Sequence, residues 1–345
     1  MNPRELLVGT FTVALTLSIT FGIVELAMRV KHQKYDVKNF VEQNWNLASL
    51  EFPIQYDPVL GWIPKENFSS QSKDSKEKIT LLKMGIRSNG LETSSTGADK
   101  PILVVGASTV YGSQVSDDQT WPAFLEKETQ QKVINAGVFA YGFDQIVLRL
   151  EKLIPLIHPR WVILGFHPDN LTQVTMSQKY GKKPYYELVN DRLVLKNTPV
   201  PVTKKELKPF QAILGFSYLA HYLLSRLAPQ VWLEGHGEIR VNNQENEISC
   251  LLLKKYDELC KANRLKCSVL VQYFHTTVVD ARQKIIQLEN CAQTTSLAFW
   301  DTFEPLEKIK RVTPKLYDSF FDFHMTPKGN AWTAHYIKQK MTETN

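Results

Sequence analysis

Short apolar runs alternate with helical patterns from residue 101 onward, and this alternation limits the possible folds more than any other feature. Runs of strand length occur at 101–105, 132–135, 160–166, 267–273 and 297–301. Amphipathic helical spacing lies between them, at about 120–130, 144–157 and 278–292. Strands that are apolar throughout are typical of parallel sheets buried on both faces. The sequence therefore predicts an α/β fold with three layers, a parallel sheet between two layers of helices.

The strand–helix alternation is interrupted between 171 and 265. Residues 185–197 predict a β-hairpin that turns at Asn190-Asp191, and a helix is expected at about 246–262. We interpret 171–265 as an insertion that could cap a substrate site. The last helix is predicted to begin at Thr326, with Pro327 in its first turn.

The N-terminus carries an uncharged segment of membrane-spanning length. Leu6 to Val24 contains no charged residue, and about 20 apolar residues suffice to cross a bilayer. No small-residue cleavage site follows, so 1–30 is predicted to be an uncleaved, single-pass membrane anchor, with the membrane contacted through 6–24. A buried core helix is the alternative. Arg29 and the lysines after it would place the body in the cytoplasm, but the resemblance described below suggests an extracytoplasmic body, and the side stays open.

Residues 31–100 form a polar extension between the anchor and the predicted sheet. Two islands in it mix turn residues with aromatic or basic ones, "YDPVLGWIPKEN" (56–67) and "GIRSNGLET" (85–93). We expect them to pack on the domain formed by 101–345, with Arg87 and Asn89 as candidate braces.

Charge and cysteine content exclude several functions. The net charge of +6 is spread over 345 residues, and basic pairs such as Lys182-Lys183 are interpreted as solvated loop, so no nucleic-acid partner is expected. The four cysteines lack CxxC spacing, and the histidines lack metal-ligand spacing, so neither a metal nor a cofactor is predicted. Cys267 is expected to pack as a small apolar residue, and one disulfide is possible if the body lies outside the cytoplasm.

A serine follows the first predicted strand, where an open α/β sheet keeps its binding crevice. Ser108 comes directly after "ILVVGA" (102–107). A serine nucleophile needs a base and a group that orients the base. Asp322 and His324, just before the last helix, are the candidates, although an Asp-x-His pair also occurs often by chance.

Several ordered segments together resemble the SGNH/GDSL hydrolases, in particular bacterial membrane-anchored members. The resemblance covers most of the chain outside the anchor and rests on these segments: "DPVLGW" (57–62), "IRSNGL" (86–91), "ILVVGASTVYGSQVSDDQTWPAFLE" (102–126), "VINAGVFAYGFDQ" (133–145), "WVILGFHPDNL" (161–171) and "DFHMTPKGNAWTA" (322–334). It implies a flavodoxin-like parallel sheet and an acyl-transfer site. Ser108 would be the nucleophile, His324 the base and Asp322 its partner.

The resemblance also implies an oxyanion hole, built from the backbone N–H groups of Ser108 and Gly137 and a side chain after the third strand. The family's Gly-Asp-Ser is Gly-Ala-Ser here, and its Asn-Asp is Asp169-Asn170. Asn170 in a shifted register would donate to the oxyanion, whereas an ionised Asp169 in the site would repel it. The other alternative is that Asp169 points elsewhere and the two backbone donors suffice. His167 is a possible pocket residue.

These observations predict a serine esterase that acts on an acyl ester of an envelope glycan or lipid, or transfers the acyl group to a sugar hydroxyl. The alternative is a catalytically impaired protein that keeps the fold as a binding scaffold in a membrane or polysaccharide-modification complex. The acyl group and its acceptor are not specified by the residue types.

Overall fold

A computed structural model describes residues 3–42, 53–71, 77–90, 100–202, 206–275 and 279–344. The β-strands are β1 Ile54–Asp57, β2 Gly61–Pro64, β3 Phe68–Gln71, β4 Lys78–Leu81, β5 Ile102–Gly106, β6 Val133–Asn135, β7 Trp161–Phe166, β8 Met176–Gln178, β9 Tyr185–Val189, β10 Arg192–Lys196, β11 Ile239–Arg240, β12 Lys266–Val271, β13 Ala298–Asp301, β14 Phe321–Asp322 and β15 His324–Met325. The α-helices are α1 Pro3–His32, α2 Ser108–Tyr111, α3 Trp121–Thr129, α4 Phe143–Ile157, α5 Asp169–Thr172, α6 Pro209–Leu214, α7 Tyr218–Leu227, α8 Pro229–Trp232, α9 Glu245–Ala262, α10 Val279–Ala292, α11 Phe303–Val312, α12 Pro314–Asp318 and α13 Pro327–Glu343.

The central sheet has five parallel strands in the order β13-β12-β7-β5-β6. The first strand in the chain thus lies between the second and the third, which is the flavodoxin-like order. Every residue of β5 and β7 is buried, as strands covered on both faces require. The predicted parallel α/β sheet is confirmed.

Helices cover both faces of this sheet. On one face Trp121 and Leu125 of α3 and Ile337 of α13 pack in one cluster with sheet side chains. On the other face α9 brings Tyr256, whose hydroxyl lies 3.1 Å from the carbonyl oxygens of both Val162 and Ser268. The three-layer arrangement follows from these two contacts.

Packing divides the chain into two compact units. The N-terminal unit contains 1–52, 178–181 and 203–239, and the sheet unit contains 53–177, 182–202 and 240–345. The N-terminal unit has its own small core, formed by Val41, Trp232, Leu233 and Ile239. The predicted domain boundaries stay a prediction.

Helix α1 is long and apolar enough to cross a membrane. It has 30 residues, and none of them is buried. A signal sequence near an N-terminus has the same length and composition. By length and composition, helix α1 is thus a candidate for a single membrane span, and a signal sequence would look the same.

Two disulfides form where the sequence suggested at most one. Cys250 pairs with Cys291, joining α9 to α10, and Cys260 pairs with Cys267, with Cα atoms 5.7 and 6.2 Å apart. The prediction that Cys267 packs as a free apolar thiol is wrong. The cause is the short return from α9 into β12, which brings Cys260 within bonding distance.

Lys183 is buried rather than solvated, so the interpretation of Lys182-Lys183 as solvated loop is wrong for its second residue. Its ammonium donates to Asp144 Oδ2 at 2.5 Å and to three backbone carbonyl oxygens. Both side chains of this ion pair are fully buried. Burying a lysine is tolerated here because each of its N–H donors has an acceptor.

The first island of the extension packs on the loop before α4. Trp62 Nε1 donates to the Phe139 carbonyl at 3.0 Å, and the Tyr141 hydroxyl donates to the Trp62 carbonyl at 2.6 Å. Gln145 Nε2 donates to the Leu60 carbonyl at 2.8 Å. The island thus holds the segment that follows β6, beside the carboxyl edge of the sheet.

Candidate active site

Ser108 lies at the carboxyl edge of the sheet, as its place in the sequence predicts. It follows β5 after Ala107 and is the first residue of α2. A residue at this position has a backbone N–H that the helix itself does not use. The adjacent strand β7 ends beside it, because Gly106 and Gly165 are paired in the parallel register.

His324 is within hydrogen-bond distance of Ser108. Its Nε2 lies 3.1 Å from Ser108 Oγ, although the two residues are 216 positions apart in the chain. The imidazole is buried, with only 7% of the residue exposed. This contact is the nucleophile–base geometry that acyl transfer requires.

The partner of the other imidazole nitrogen is Gln114. Gln114 Oε1 lies 2.8 Å from His324 Nδ1 and also accepts the His324 backbone N–H at 3.2 Å. Two donors converge on this atom, and an amide oxygen can only accept. Nδ1 therefore carries the proton, and the lone pair of Nε2 faces the serine hydroxyl.

Asp322 does not occupy the position predicted for it. The residue is exposed and is paired with His324 only through the backbone of the β14–β15 hairpin. Phe323 between them has a φ of 60°, so the chain reverses within one residue. In this geometry Gln114, which no sequence signal identified, replaces the predicted carboxylate.

Arg87 fixes the loop that carries Gln114. Its buried guanidinium donates to the carbonyls of Tyr111, Gly112 and Val115 at 2.7, 2.5 and 2.6 Å. Gln114 itself has a φ of 69°, a left-handed conformation that a non-glycine residue adopts at a cost. The "IRSNGL" island therefore positions the group that orients the base.

Gly137 does not present a free N–H to the site. Its N–H donates to Asn135 Oδ1 at 3.1 Å. A Cβ atom on this glycine would lie 2.3 Å from the Tyr111 backbone nitrogen. The glycine is thus required because β6 continues directly against α2, and the predicted role as oxyanion donor does not fit this arrangement.

Asn170 is used differently from the predicted oxyanion donor, and Asp169 follows the alternative in which it points away from the site. Asn170 Oδ1 accepts the His167 backbone N–H at 2.7 Å, and its Nδ2 donates to the Tyr141 carbonyl at 2.9 Å. The Asp169 side chain is 67% exposed. Asn170 therefore braces the loop, and the largely exposed Asp169 carboxylate has its Oδ2 3.5 Å from His167 Nδ1.

His167 directly follows β7 and, like Ser108, lies two residues beyond one of the paired glycines, Gly106 and Gly165. Its Nδ1 accepts the Asp169 backbone N–H at 3.2 Å, so in the neutral ring the proton is on Nε2. The ring stacks on Phe274 at 3.9 Å, and Phe274 also contacts the His324 ring edge-on at 5.3 Å. His167 and His324 thus flank one aromatic ring.

Burial sets the charge of both histidines. It lowers the pKa of His324 to about 4. Burial also lowers the pKa of His167 to about 4; nearby Asp169 opposes this shift, and His324 adds to it. Both imidazoles are therefore neutral at pH 7, one able to accept a proton and the other able to donate a hydrogen bond.

The lowered pKa of His324 predicts an acid-tolerant reaction. A base must be unprotonated, so we expect kcat/KM for an aryl ester to be level from about pH 5.5 to 8 and to fall only as pH drops through about 4. Initial rates across this range, with circular dichroism at each pH to exclude unfolding, check this. An acidic limb near the ordinary histidine pKa of about 6.5 would contradict the assignment.

No metal site is evident in the described part of the chain, where no group of three or more His, Cys, Asp or Glu side chains is placed to hold an ion.

With the parallel sheet and the Ser108–His324 contact described, the chain can be compared with known proteins. The chain is 31% identical over 99 residues to thioesterase 1/protease 1/lysophospholipase L1 of Escherichia coli K12, and equally to its counterpart in E. coli O6:H1. The match covers 26% of this chain, and the chain spans about half the length of these curated relatives, 47%. The relative is an SGNH protein, which confirms the predicted resemblance. No family model matches.

Solved structures of the same kind are similar to the chain. A lipolytic protein of the G-D-S-L family from Desulfitobacterium hafniense has a TM-score of 0.42 at 11% identity, covering 70% of this chain and 99% of its own. An acetylxylan esterase from Geobacillus stearothermophilus has a TM-score of 0.41 at 12% identity, covering 70% and 94%.

Proposed function

We propose that the protein is a serine ester hydrolase whose nucleophile is Ser108. The observation that carries the proposal is the 3.1 Å contact between Ser108 Oγ and His324 Nε2, with the imidazole held by Gln114 in the tautomer that accepts a proton. A merely structural serine in this turn would not need a buried, oriented and neutral base.

In the first half-reaction, Ser108 Oγ attacks the ester carbonyl carbon while its proton passes to His324 Nε2. The tetrahedral intermediate collapses as the C–O bond to the alcohol breaks, and His324 returns the proton to the leaving oxygen. Water then attacks the acyl-serine in the same way and releases the acid. Gln114 keeps the ring oriented but adds no negative charge, so the imidazolium is stabilised less than in a site with a carboxylate.

In place of Gly137 and Asn170, two described residues, Ser108 and His167, are the oxyanion donors in our proposal. The Ser108 backbone N–H is not used by α2. The second donor in our proposal is His167 Nε2–H, because its strand is adjacent to that of Ser108 and its tautomer is set by the Asp169 backbone N–H. A neutral imidazole can donate a hydrogen bond without its proton being removed by the reaction.

Replacing His167 by phenylalanine is expected to lower kcat about 10²- to 10³-fold with little change in KM, the usual effect of losing one oxyanion donor. Phenylalanine keeps the stack on Phe274 but removes both ring nitrogens, the proposed Nε2–H donor and the Nδ1 acceptor of the Asp169 backbone N–H. His167→Gln restores an N–H at similar reach and is expected to recover most of kcat. Steady-state kinetics of both variants decide this: an unchanged kcat in His167→Phe would exclude the donor role.

The substrate class that we propose is an acyl ester of an envelope glycan or lipid, handled by a membrane-anchored enzyme whose sheet unit is extracytoplasmic. Two disulfides support an oxidising compartment, in spite of the positive residues after Val24. The stacked rings of Phe274 and the exposed Phe323 form an apolar surface next to His324. This surface suits the apolar chain of an acyl group. Passing the acyl group to a sugar hydroxyl instead of water would use the same acyl-serine.

The proposal is tested by hydrolysis of 4-nitrophenyl acetate, butyrate and octanoate by the full-length protein in detergent micelles. We expect turnover of at least one of them above the buffer rate. If none is hydrolysed, the result would favour the alternative, a binding scaffold that keeps the fold without the reaction.

A further inference from the structure

The N-terminal unit exposes several large apolar side chains on α6, α7 and the segments that follow each of them. Ile213 is 74% exposed and Leu227 is 79% exposed. We call the following set the juxtamembrane surface: Ile213, Leu214, Phe216, Leu223, Leu227 and Val231. Large exposed apolar patches mark surfaces that another body covers.

Helix α1 determines where this surface lies. The Glu25 carboxylate accepts the Ser217 hydroxyl at 2.9 Å and the backbone N–H groups of Tyr218 and Leu219 at 2.7 Å each. Arg29 Nη2 donates to the Phe216 carbonyl at 2.5 Å. The start of α7 is thus fastened to α1 by side chains on successive turns of that helix.

These contacts begin one residue after the uncharged segment ends at Val24. Glu25 and Arg29 are four residues apart, which is about 6 Å along a helix. If 6–24 crosses the bilayer, Phe216 lies at the level where the chain leaves the hydrocarbon, in the layer of lipid headgroups.

The charges next to this level suit a lipid surface. Lys31, Lys34 and Lys38 follow the anchor and are all exposed. Lysines just outside a membrane span are attracted to anionic headgroups. An apolar face bordered by cations is typical of helices that lie in a membrane interface.

We propose that the juxtamembrane surface binds the lipid bilayer, with α6 and α7 immersed in its interface beside the end of α1. The partner is a lipid surface, not a second protein. The inference rests on the proposed membrane anchor and is independent of ester hydrolysis.

Single-cysteine labelling of the full-length protein tests this, because all four native cysteines are in disulfides. Ile213→Cys, Val312→Cys and Leu15→Cys would each carry the fluorophore NBD, in vesicles of phosphatidylcholine and phosphatidylglycerol. Val312, 72% exposed in the sheet unit, is the matched control for Ile213. Quenchers are lipids with a doxyl group near the headgroup or deep in the acyl chain.

We expect shallow doxyl lipid to lower the Ile213→Cys signal by about twofold or more relative to the Val312→Cys signal, which reports an exposed position outside the juxtamembrane surface. Deep doxyl lipid should quench Leu15→Cys. Quenching at Leu15 without quenching at Ile213 would overturn the interfacial surface and leave the anchor standing. A blue-shifted but unquenched Ile213 label would mean that protein covers the surface, which also overturns the proposal. Absence of quenching at all three positions would overturn the anchor as well.

Discussion

Ser108→Ala is expected to lower kcat/KM for an aryl ester by at least about 10³-fold, because the variant has no atom that can form the acyl intermediate. The remaining rate would come from His324 acting on water and from the oxyanion donors. Since the Ser108 hydroxyl is hydrogen-bonded to His324 and to no other side chain in the described structure, its removal should not disturb the fold. Initial rates and the midpoint of thermal unfolding measure both effects.

Ser113→Ala is the matched control for this variant. Ser113 lies in the loop after α2, and its buried hydroxyl has no hydrogen-bond partner in the described structure. Its removal should leave kcat/KM within about twofold, as for a substitution that breaks no contact. Equal rates for wild type and Ser108→Ala would contradict the role of Ser108, whatever the control does.

Gln114→Glu is expected to raise kcat/KM by up to about tenfold near pH 8, since one pKa unit is a tenfold change in the proton affinity of the base and the rate follows part of that change. The new carboxylate would replace a neutral acceptor of the His324 Nδ1 proton, and a charged acceptor stabilises the imidazolium that forms during attack. It would also raise the pKa of His324, so the acidic limb of the pH profile should move above pH 4. The pH dependence of kcat/KM for the two proteins measures both changes.

Gln114→Leu completes this comparison. It keeps the size of the side chain but has no acceptor, so the imidazole loses its fixed tautomer, and we expect kcat/KM to fall about 10²- to 10⁴-fold. A Gln114→Glu variant with an unmoved acidic limb, together with a fully active Gln114→Leu, would show that Gln114 does not orient the base.

The central sheet could be predicted because its signal is local. Each strand of the sheet is an apolar run between helical patterns, so length and periodicity sufficed to identify β5, β7 and β12. The hairpin β9–β10 was predictable for a similar reason, since Asn190 and Asp191 tolerate the positive φ that its two-residue turn needs.

The site was predictable only as far as residue types reveal chemistry. Ser108 and His324 are residues that acyl transfer uses, and their segments occur in a recognisable order. Gln114 carries no such signal, because a neutral glutamine in a loop resembles many other surface residues. Its role depends on Arg87 and on a contact across 210 residues of sequence, neither of which periodicity can reveal.

Burial explains the other differences between the sequence predictions and the structure. Lys183 and Arg87 are charged, and composition favours solvent for such residues. Both are buried because carbonyl oxygens and one carboxylate surround each of them. Asp322 is the opposite case. Its carboxylate could have accepted the His324 Nδ1 proton, but the tight β14–β15 hairpin leaves it exposed.

The central claim is that Ser108 is an activated nucleophile, and covalent labelling tests it most directly. Full-length protein would be treated with a fluorophosphonate, which phosphonylates activated serines with loss of fluoride, and examined by intact mass and peptide mapping. We expect a single adduct on Ser108, absent in Ser108→Ala and formed much more slowly in Gln114→Leu. Unlabelled wild-type protein, or an adduct on another serine, would contradict the account.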